Sequence, residues 1–371
     1  MTTPRLASLD AFRGFAIASM VLVNNPGDWS HLYAPLAHAK WDGWTFTDLV
    51  FPFFLFAAGV SMALSLERRT KAGDDPPRLM GSIAKRAAVI FLVGLGLNLV
   101  PAFDLSTVRI PGVLQRIALC IVIAAPLAIY IRTAVVAAWI VALFLAYTLL
   151  MLFAPVPGPD GVVAAGALVP GRDFGAWLDR LLLDGHLWAQ AKTWDPEGLV
   201  STLPAVGSTL FGVLTGRWLL TAAEGLGTSA RLTATGVAAL VVGLMLDAAL
   251  MPINKNLWTP SYAVFMTGWS LVAFGAFHAL MDGASPSPRD LSRRVLLPLT
   301  IFGMNALFIF ALSGLVARIL AAAKLKAPLY APFQSSIATP ENASLAFAIA
   351  FSLVMFAVAW FMWRQRWFIK A

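Results

Sequence analysis

HAKWDGWTFTDLVFPFFLF, residues 38–56, runs from a short polar loop studded with tryptophans straight into an apolar stretch that keeps one acid, Asp48. That change of character decides the fold class. The apolar run continues to about residue 66, and some 20 apolar residues are what a helix needs to cross a ~30 Å hydrocarbon core. Outer-membrane strands would instead alternate over about 10 residues. Outward from this stretch the pattern recurs, with apolar windows at about 8–25, 45–66, 84–101, 111–131, 133–153, 198–219, 229–251, 261–281, 294–320 and 343–364. Of 371 residues, 59% are hydrophobic and 12% charged, against roughly a quarter charged in soluble domains. The sequence predicts an all-α, polytopic membrane helical bundle of about ten transmembrane helices.

An even number of spans puts both termini on one side. The face holding Arg5, the six cations of residues 67–86, Arg132, Arg217, Arg231, Arg289, Arg293, Arg294 and the three cations of residues 363–370 carries 16 lysines and arginines, against 8 opposite. By the positive-inside bias both termini are cytoplasmic, which also accounts for the net charge of +8. No basic stripe with interleaved aromatics suggests nucleic acid. With one cysteine, Cys120, inside an apolar run, no intrachain disulfide is available. Arg5, then an apolar run broken by Asp10 and Arg13 with no small-residue cleavage site behind it, reads as a retained first span. No repeat or composition break divides the chain, so residues 1–371 are expected to form a single transmembrane domain.

Polar residues gather in the loops assigned outside: 25–44, about 154–197, and the turn MPINKNLWTP from Met251. In SLDAFRG, Asp10 and Arg13 are three apart on one helix face, either a pair that neutralises two costly charges or part of a site. MVLVNNPG ends the first span with Asn24 and Asn25, and His38 follows in the loop. Histidine serves as a base near neutral pH, and an amide can hold a nucleophile or an oxyanion. Trp29, Trp41 and Trp44 fit an interfacial aromatic belt. Asp48, three residues past Thr45, reads as functional because acids within a membrane are expensive. Arg116, inside the fourth span, needs an anionic partner such as Asp10, Asp48 or a phosphate-bearing ligand. Asp195 and Glu197 precede a span, where capping explains one acid and not two. The turn around Lys255 reads as solvated, Asn305 as a helix–helix hydrogen bonder, His31 and His186 as solvated, and His278 as packed or interfacial. No HExxH, Walker, GxSxG or dinucleotide pattern appears, and no metal is expected.

The stretches RLASLDAFRG, MVLVNNPG, HAKWDGWTFTDLVFPFFLFAAGVS, RIPGVLQRIAL, DPEGLVSTLPA, PINKNLWTPSY and GMNAL together resemble the heparan-α-glucosaminide N-acetyltransferase family, including its NagX-like bacterial members. The resemblance implies a multi-pass enzyme of a bacterial-type inner (plasma) membrane. It would move an acetyl group from cytoplasmic acetyl-CoA, its co-substrate, to the amine of a glucosamine-type sugar outside. By motif, His38 and Asn24 match the active-site histidine and asparagine. Asp195 and Glu197 match acids near the sugar pocket, with Trp41 and Asp48 placed beside them. Arg13, Arg116, Lys255 and Asn256 are candidates for CoA or pore contacts. The expected partners are the amino-sugar acceptor, acetyl-CoA and the lipid bilayer, with a homodimer compatible. His38 either deprotonates the amine or carries the acetyl group. The rival reading is an amino-sugar transporter without acyl chemistry, which predicts broken helices or repeats at midplane. An acyltransferase acting on a lipid or cell-wall glycan is the third.

Overall fold

The structure, a computed structural model, describes residues 6–283 and 285–369. Arg5 and Lys370, counted in the charge bias, lie outside the described residues. Among the described residues fourteen α-helices run in chain order: α1 Ala7–Val23, α2 Val50–Lys71, α3 Pro76–Leu99, α4 Val113–Tyr130, α5 Thr133–Phe153, α6 Phe174–Leu183, α7 Thr202–Leu219, α8 Leu226–Ala249, α9 Pro260–His278, α10 Pro286–Val295, α11 Leu297–Met304, α12 Ala306–Ala322, α13 Lys326–Ser336 and α14 Pro340–Arg364. A small sheet pairs Val156–Pro157 with Val163–Ala164 in the long loop before α6.

Helix starts follow local chemistry. Asp75 caps α3 by accepting from the Arg78 amide ahead of Pro76 and Pro77, and Thr259 caps α9 in the same way ahead of Pro260. A proline in the first turn loses nothing there, because its missing N–H would have had no intrahelical partner.

All ten apolar windows appear as helices, though not every one is by itself long and apolar enough to cross a membrane. Seven helices are long and apolar enough to cross a membrane, and α11 with α12 make an eighth if their bent pair is one span. α1 is only 17 residues long, and α7, at 18 residues, is diluted by glycine, serine, threonine and Arg217. Both are largely enclosed by the other helices. Four-fifths of the apolar window of α2 is likewise enclosed (78%), whereas α8 is buried over only 17% and so offers most of its surface to lipid.

Two close approaches set the packing. A methyl group at Gly59 of α2 would run into the Thr209 carbonyl of α7, and one at Gly212 of α7 into the Phe56 carbonyl of α2. Gly14 of α1 meets the Leu299 carbonyl, and Gly303 meets that of Asp10, so α11 lies hard against α1. Where lipid supplies no hydrophobic drive between helices, such small-residue contacts provide the close packing. Between α11 and α12 the chain turns by 81° at Asn305. Its buried side-chain amide donates to the Trp367 carbonyl and accepts from the Ile369 amide, tying the chain beyond α14 to the break. This corrects the expectation of an uninterrupted span with Asn305 bonding another helix.

Candidate active site

The loops before α2, before α4, before α7 and before α9 meet at one end of the bundle. Asp48 lies in the 3₁₀ turn Phe46–Leu49 that opens α2, where Thr45 and Asp48 form a capping box. One carboxylate oxygen, Oδ2, accepts from the amides of Thr45 (3.0 Å) and Ala39 (3.1 Å), and Oδ1 lies 2.6 Å from His38 Nδ1. An ionised carboxylate only accepts, so Nδ1 donates and the lone pair of the imidazole resides on Nε2. Asp48 is 1% exposed and the His38 side chain 43%, so the acid is sealed in while the ring faces the open side. Asp48, to which the sequence assigned no partner, is thus a partner of His38.

The turn MPINKNLWTP is not solvated. Asn254 is fully buried, its side chain donating to Asp42 (3.0 Å) and accepting from the Leu257 amide (2.9 Å), while the Gly43 amide donates to the Ile253 carbonyl. Locked to the loop that carries His38, the turn lays Lys255 over the imidazole. Nζ is 3.1 Å from Nδ1, 3.3 Å from Nε2 and 3.8 Å from Asp48 Oδ1. Tyr262, one turn into α9, donates to the Asp48 carbonyl (2.6 Å) and fixes the same corner from below.

Arg109, in the loop before α4, grips Asp195 through Nε (2.8 Å) and reaches Glu197 at 2.6 Å. Neither acid caps α7, whose N-cap Ser201 makes no capping bond. Arg116 is 1% exposed. It donates to the Gly198 carbonyl (3.1 Å) and the Ser201 hydroxyl, and its guanidinium stands 5.2 Å from the centre of the Trp258 ring. Of the anionic partners the sequence offered, neither Asp10 nor Asp48 is bonded to it. Nε and one terminal nitrogen of Arg116 have no hydrogen-bond partner among the described residues. Trp258 holds a φ of 50°, a strained backbone for an aromatic residue, and so keeps its ring under the guanidinium.

These groups share one field. Burial works to raise the Glu197 carboxyl, yet Arg109, Arg116 and Lys255 around it hold it below the usual range. Burial pushes the Lys255 ammonium down, and Arg116 adds to this, while the carboxylates of Asp48 and Glu197 work against it. Asp195 also lines a small, partly open pocket with Tyr147, Asp173, Asp179, Trp194, Ser201 and Asn256 among others, where burial pushes Asp179 up to about 7.

The structure therefore brings together His38, Asp48, Lys255, Asp195, Glu197 and Arg116, with Asn256 on the neighbouring pocket. Trp41 stands at the edge, donating to the Leu168 carbonyl (2.9 Å) and meeting Trp194 edge-on at 5.2 Å. Two residues are not part of the cluster. Asn24 is exposed at the end of α1, and its side chain makes no hydrogen bond among the described residues. Arg13 lies at the opposite end, 2.6 Å from Asp10 and bonded to the Gly303 carbonyl at 3.1 Å. His278 is packed against Ser229 as expected, whereas His31 pairs with Asp28. Arg109 and Trp258 were not singled out from the sequence. The only signal for Arg109 was its rarity, one of few cations in the loops assigned outside.

The chain matches a family described as heparan-alpha-glucosaminide N-acetyltransferase, catalytic, over residues 5–251. It is 30% identical over 335 residues to the heparan-alpha-glucosaminide N-acetyltransferase of Homo sapiens, covering 75% of this chain and 49% of that protein. To the protein of the same name from Mus musculus it is 29% identical over 330 residues, with the same shares covered. The chain thus spans about half the length of the curated relatives it matches. Lys255 lies beyond the end of the family match.

Proposed function

Because the chain belongs to the heparan-α-glucosaminide N-acetyltransferase family, we propose that it transfers an acetyl group from cytoplasmic acetyl-CoA to the amine of a glucosamine-type sugar on the extracytoplasmic side of a multi-pass membrane domain. The observation that carries this reading is His38 bonded at Nδ1 to buried Asp48, with the imidazole side chain itself partly exposed.

Each residue then has a role. Asp48 fixes the tautomer and the direction of the ring, so that Nε2 meets the acetyl carbonyl with its lone pair. Reacting groups held at contact distance gain the advantage of an intramolecular step, which suits an amine and a thioester that already react favourably once aligned. Asp195 and Glu197 attract a cationic, hydroxyl-rich acceptor, and Arg109 holds both acids in place. Arg116, with two nitrogens unpartnered, offers hydrogen bonds to an oxygen that gains charge during transfer. Trp41 and Trp194 supply an aromatic wall at the mouth. The bias of lysine and arginine supports placing the His38 end outside, so the donor enters from the end that carries Arg13.

One observation favours the transporter reading: the 81° break between α11 and α12 is the kind of discontinuous helix on which transport sites are built. Its polar atoms, however, are bonded to Trp367 and Ile369, and the break packs against Asp10 rather than against the His38 cluster. Purified protein incubated with labelled acetyl-CoA and glucosamine is expected to yield labelled N-acetylglucosamine. His38→Ala is expected to lower the rate by about 10²–10⁴-fold. Wild-type rates from His38→Ala, or sugar flux into vesicles in the absence of acetyl-CoA, would replace this reading with the alternative.

A further inference from the structure

We infer that Lys255 is the proton acceptor for the acceptor amine, which leaves His38 free to carry the acetyl group. The inference rests on the acetyltransfer reading. It starts from a shortage at the site. An amino sugar arrives as an ammonium ion and cannot attack until it loses a proton. His38 has one ring nitrogen committed to Asp48, so if Nε2 takes the acetyl group no lone pair is left on the ring to accept that proton. A second base must stand within reach of Nε2, and Lys255 Nζ lies 3.3 Å from it.

The surroundings of Lys255 suit that task. It comes from a rigid turn, anchored by the Asn254 bonds to Asp42 and Leu257, so its Nζ is held and not swept through solvent. The groups facing it are His38 and Asp48 on the α2 side, Glu197 before α7 and Arg116 on α4. Burial and Arg116 favour the neutral amine, and the two carboxylates favour the ammonium, so the nitrogen can alternate between the two forms. Asp195 and Glu197 are poor substitutes, because Arg109 occupies both.

The steps balance as follows. Nε2 attacks the acetyl carbonyl, the C–S bond breaks, and CoA departs as a thiolate that takes its proton from water. Lys255 stands as the neutral amine at this point, and each proton it accepts afterwards returns to water. Neutral Lys255 takes one proton from the sugar ammonium. The freed amine attacks the acetyl-imidazolium, the C–Nε2 bond breaks with its electron pair returning to the ring, and the second amine proton leaves to water. The products are the amide, CoA thiol and one released proton.

The test compares two acceptors in Lys255→Met and Lys255→Arg, each checked for a monodisperse, wild-type-like unfolding profile. Glucosamine is protonated near neutral pH, whereas hydroxylamine is a neutral nucleophile that needs no base. In both variants, transfer to glucosamine is expected to fall by about 10²–10⁴-fold, with transfer to hydroxylamine staying within a few-fold of wild type. Transfer to glucosamine by Lys255→Met is further expected to recover as pH rises and solvent deprotonates the sugar. An equal loss with both acceptors, no loss with either, or rescue of glucosamine transfer by Lys255→Arg, which keeps the charge but cannot release a proton, would overturn the proposal. If the wild-type protein transfers acetyl to neither acceptor, the acetyltransfer reading fails instead.

Discussion

The two ends of the bundle hold their charges in different ways. At the Asp10 end, ion pairs join residues three to eleven positions apart: Asp10 with Arg13, Glu67 with Lys71, Arg78 and Arg69 with Asp74, and Asp282 with Arg293. At the His38 end, Arg109 reaches 86 residues to Asp195, and Lys255 reaches 217 to His38. Local pairs form within one helix or across one short connection. Distant pairs form only when four loops have docked, so a complete bundle is the condition for a complete site. The difference teaches where mutations will register: stability and activity should be tied together at one end and separable at the other.

The comparison is tested most severely at Arg109. Arg109→Ala leaves Asp195 and Glu197 buried without their cation, and losing one member of such a cluster destabilises by about 3–5 kcal/mol. The expected result is a large fall in thermal midpoint in detergent, most of which returns when Asp195→Asn and Glu197→Gln are added. A fall that persists in the triple variant would mean that the docked loops do not depend on this cluster.

A smaller effect is expected from pH. Burial lifts Asp179 from the ordinary 3.8 to about 7, so between those values the folded protein keeps a proton that the unfolded chain has released. Its contribution to stability is therefore full below about pH 4 and is lost as pH rises through about 7. Relative to Asp179→Asn, the wild-type thermal midpoint should climb as pH falls from 7 to 5. Parallel curves would remove Asp179 from the account of the His38 end.

The smallest effect belongs to the other end. Glu67→Gln breaks an exposed pair one helical turn apart and is expected to change stability by about 0.2–0.5 kcal/mol, read from denaturant midpoints. A loss comparable to that of Arg109→Ala would erase the distinction between the two ends.

The same distinction explains what the sequence made legible. Apolar runs located every long helix, because each run carries its own signal. Thr45 followed three residues later by Asp48 has the spacing of a capping box, a local signal passed over in the sequence in favour of a functional acid. The Asp10–Arg13 pair, three apart, was legible because it is local too. What stayed hidden was long-range or without a hydropathy signal. Nothing near PINKNLWTP indicates that Asn254 is buried against Asp42, so the turn read as solvated and Lys255 as peripheral. The break at Asn305 falls in FGMNALF, where a hydropathy window sees one continuous run. Arg116 looked in need of a carboxylate because the aromatic face of Trp258 could not be foreseen from 142 residues away.

The glycine seam between α2 and α7 carries a consequence for how this site tolerates change. Gly59 lies eleven residues beyond Asp48, and Gly212 eleven beyond Ser201, about 16 Å along each helix at 1.5 Å per residue. The spacing between the histidine side and the arginine side of the site is therefore gauged near the middle of the bundle, by two residues with no side chains. A methyl group added there would pry the helices apart like a shim under a lever and misalign the site from a distance. A search for sensitive positions confined to the neighbourhood of His38 would pass them by.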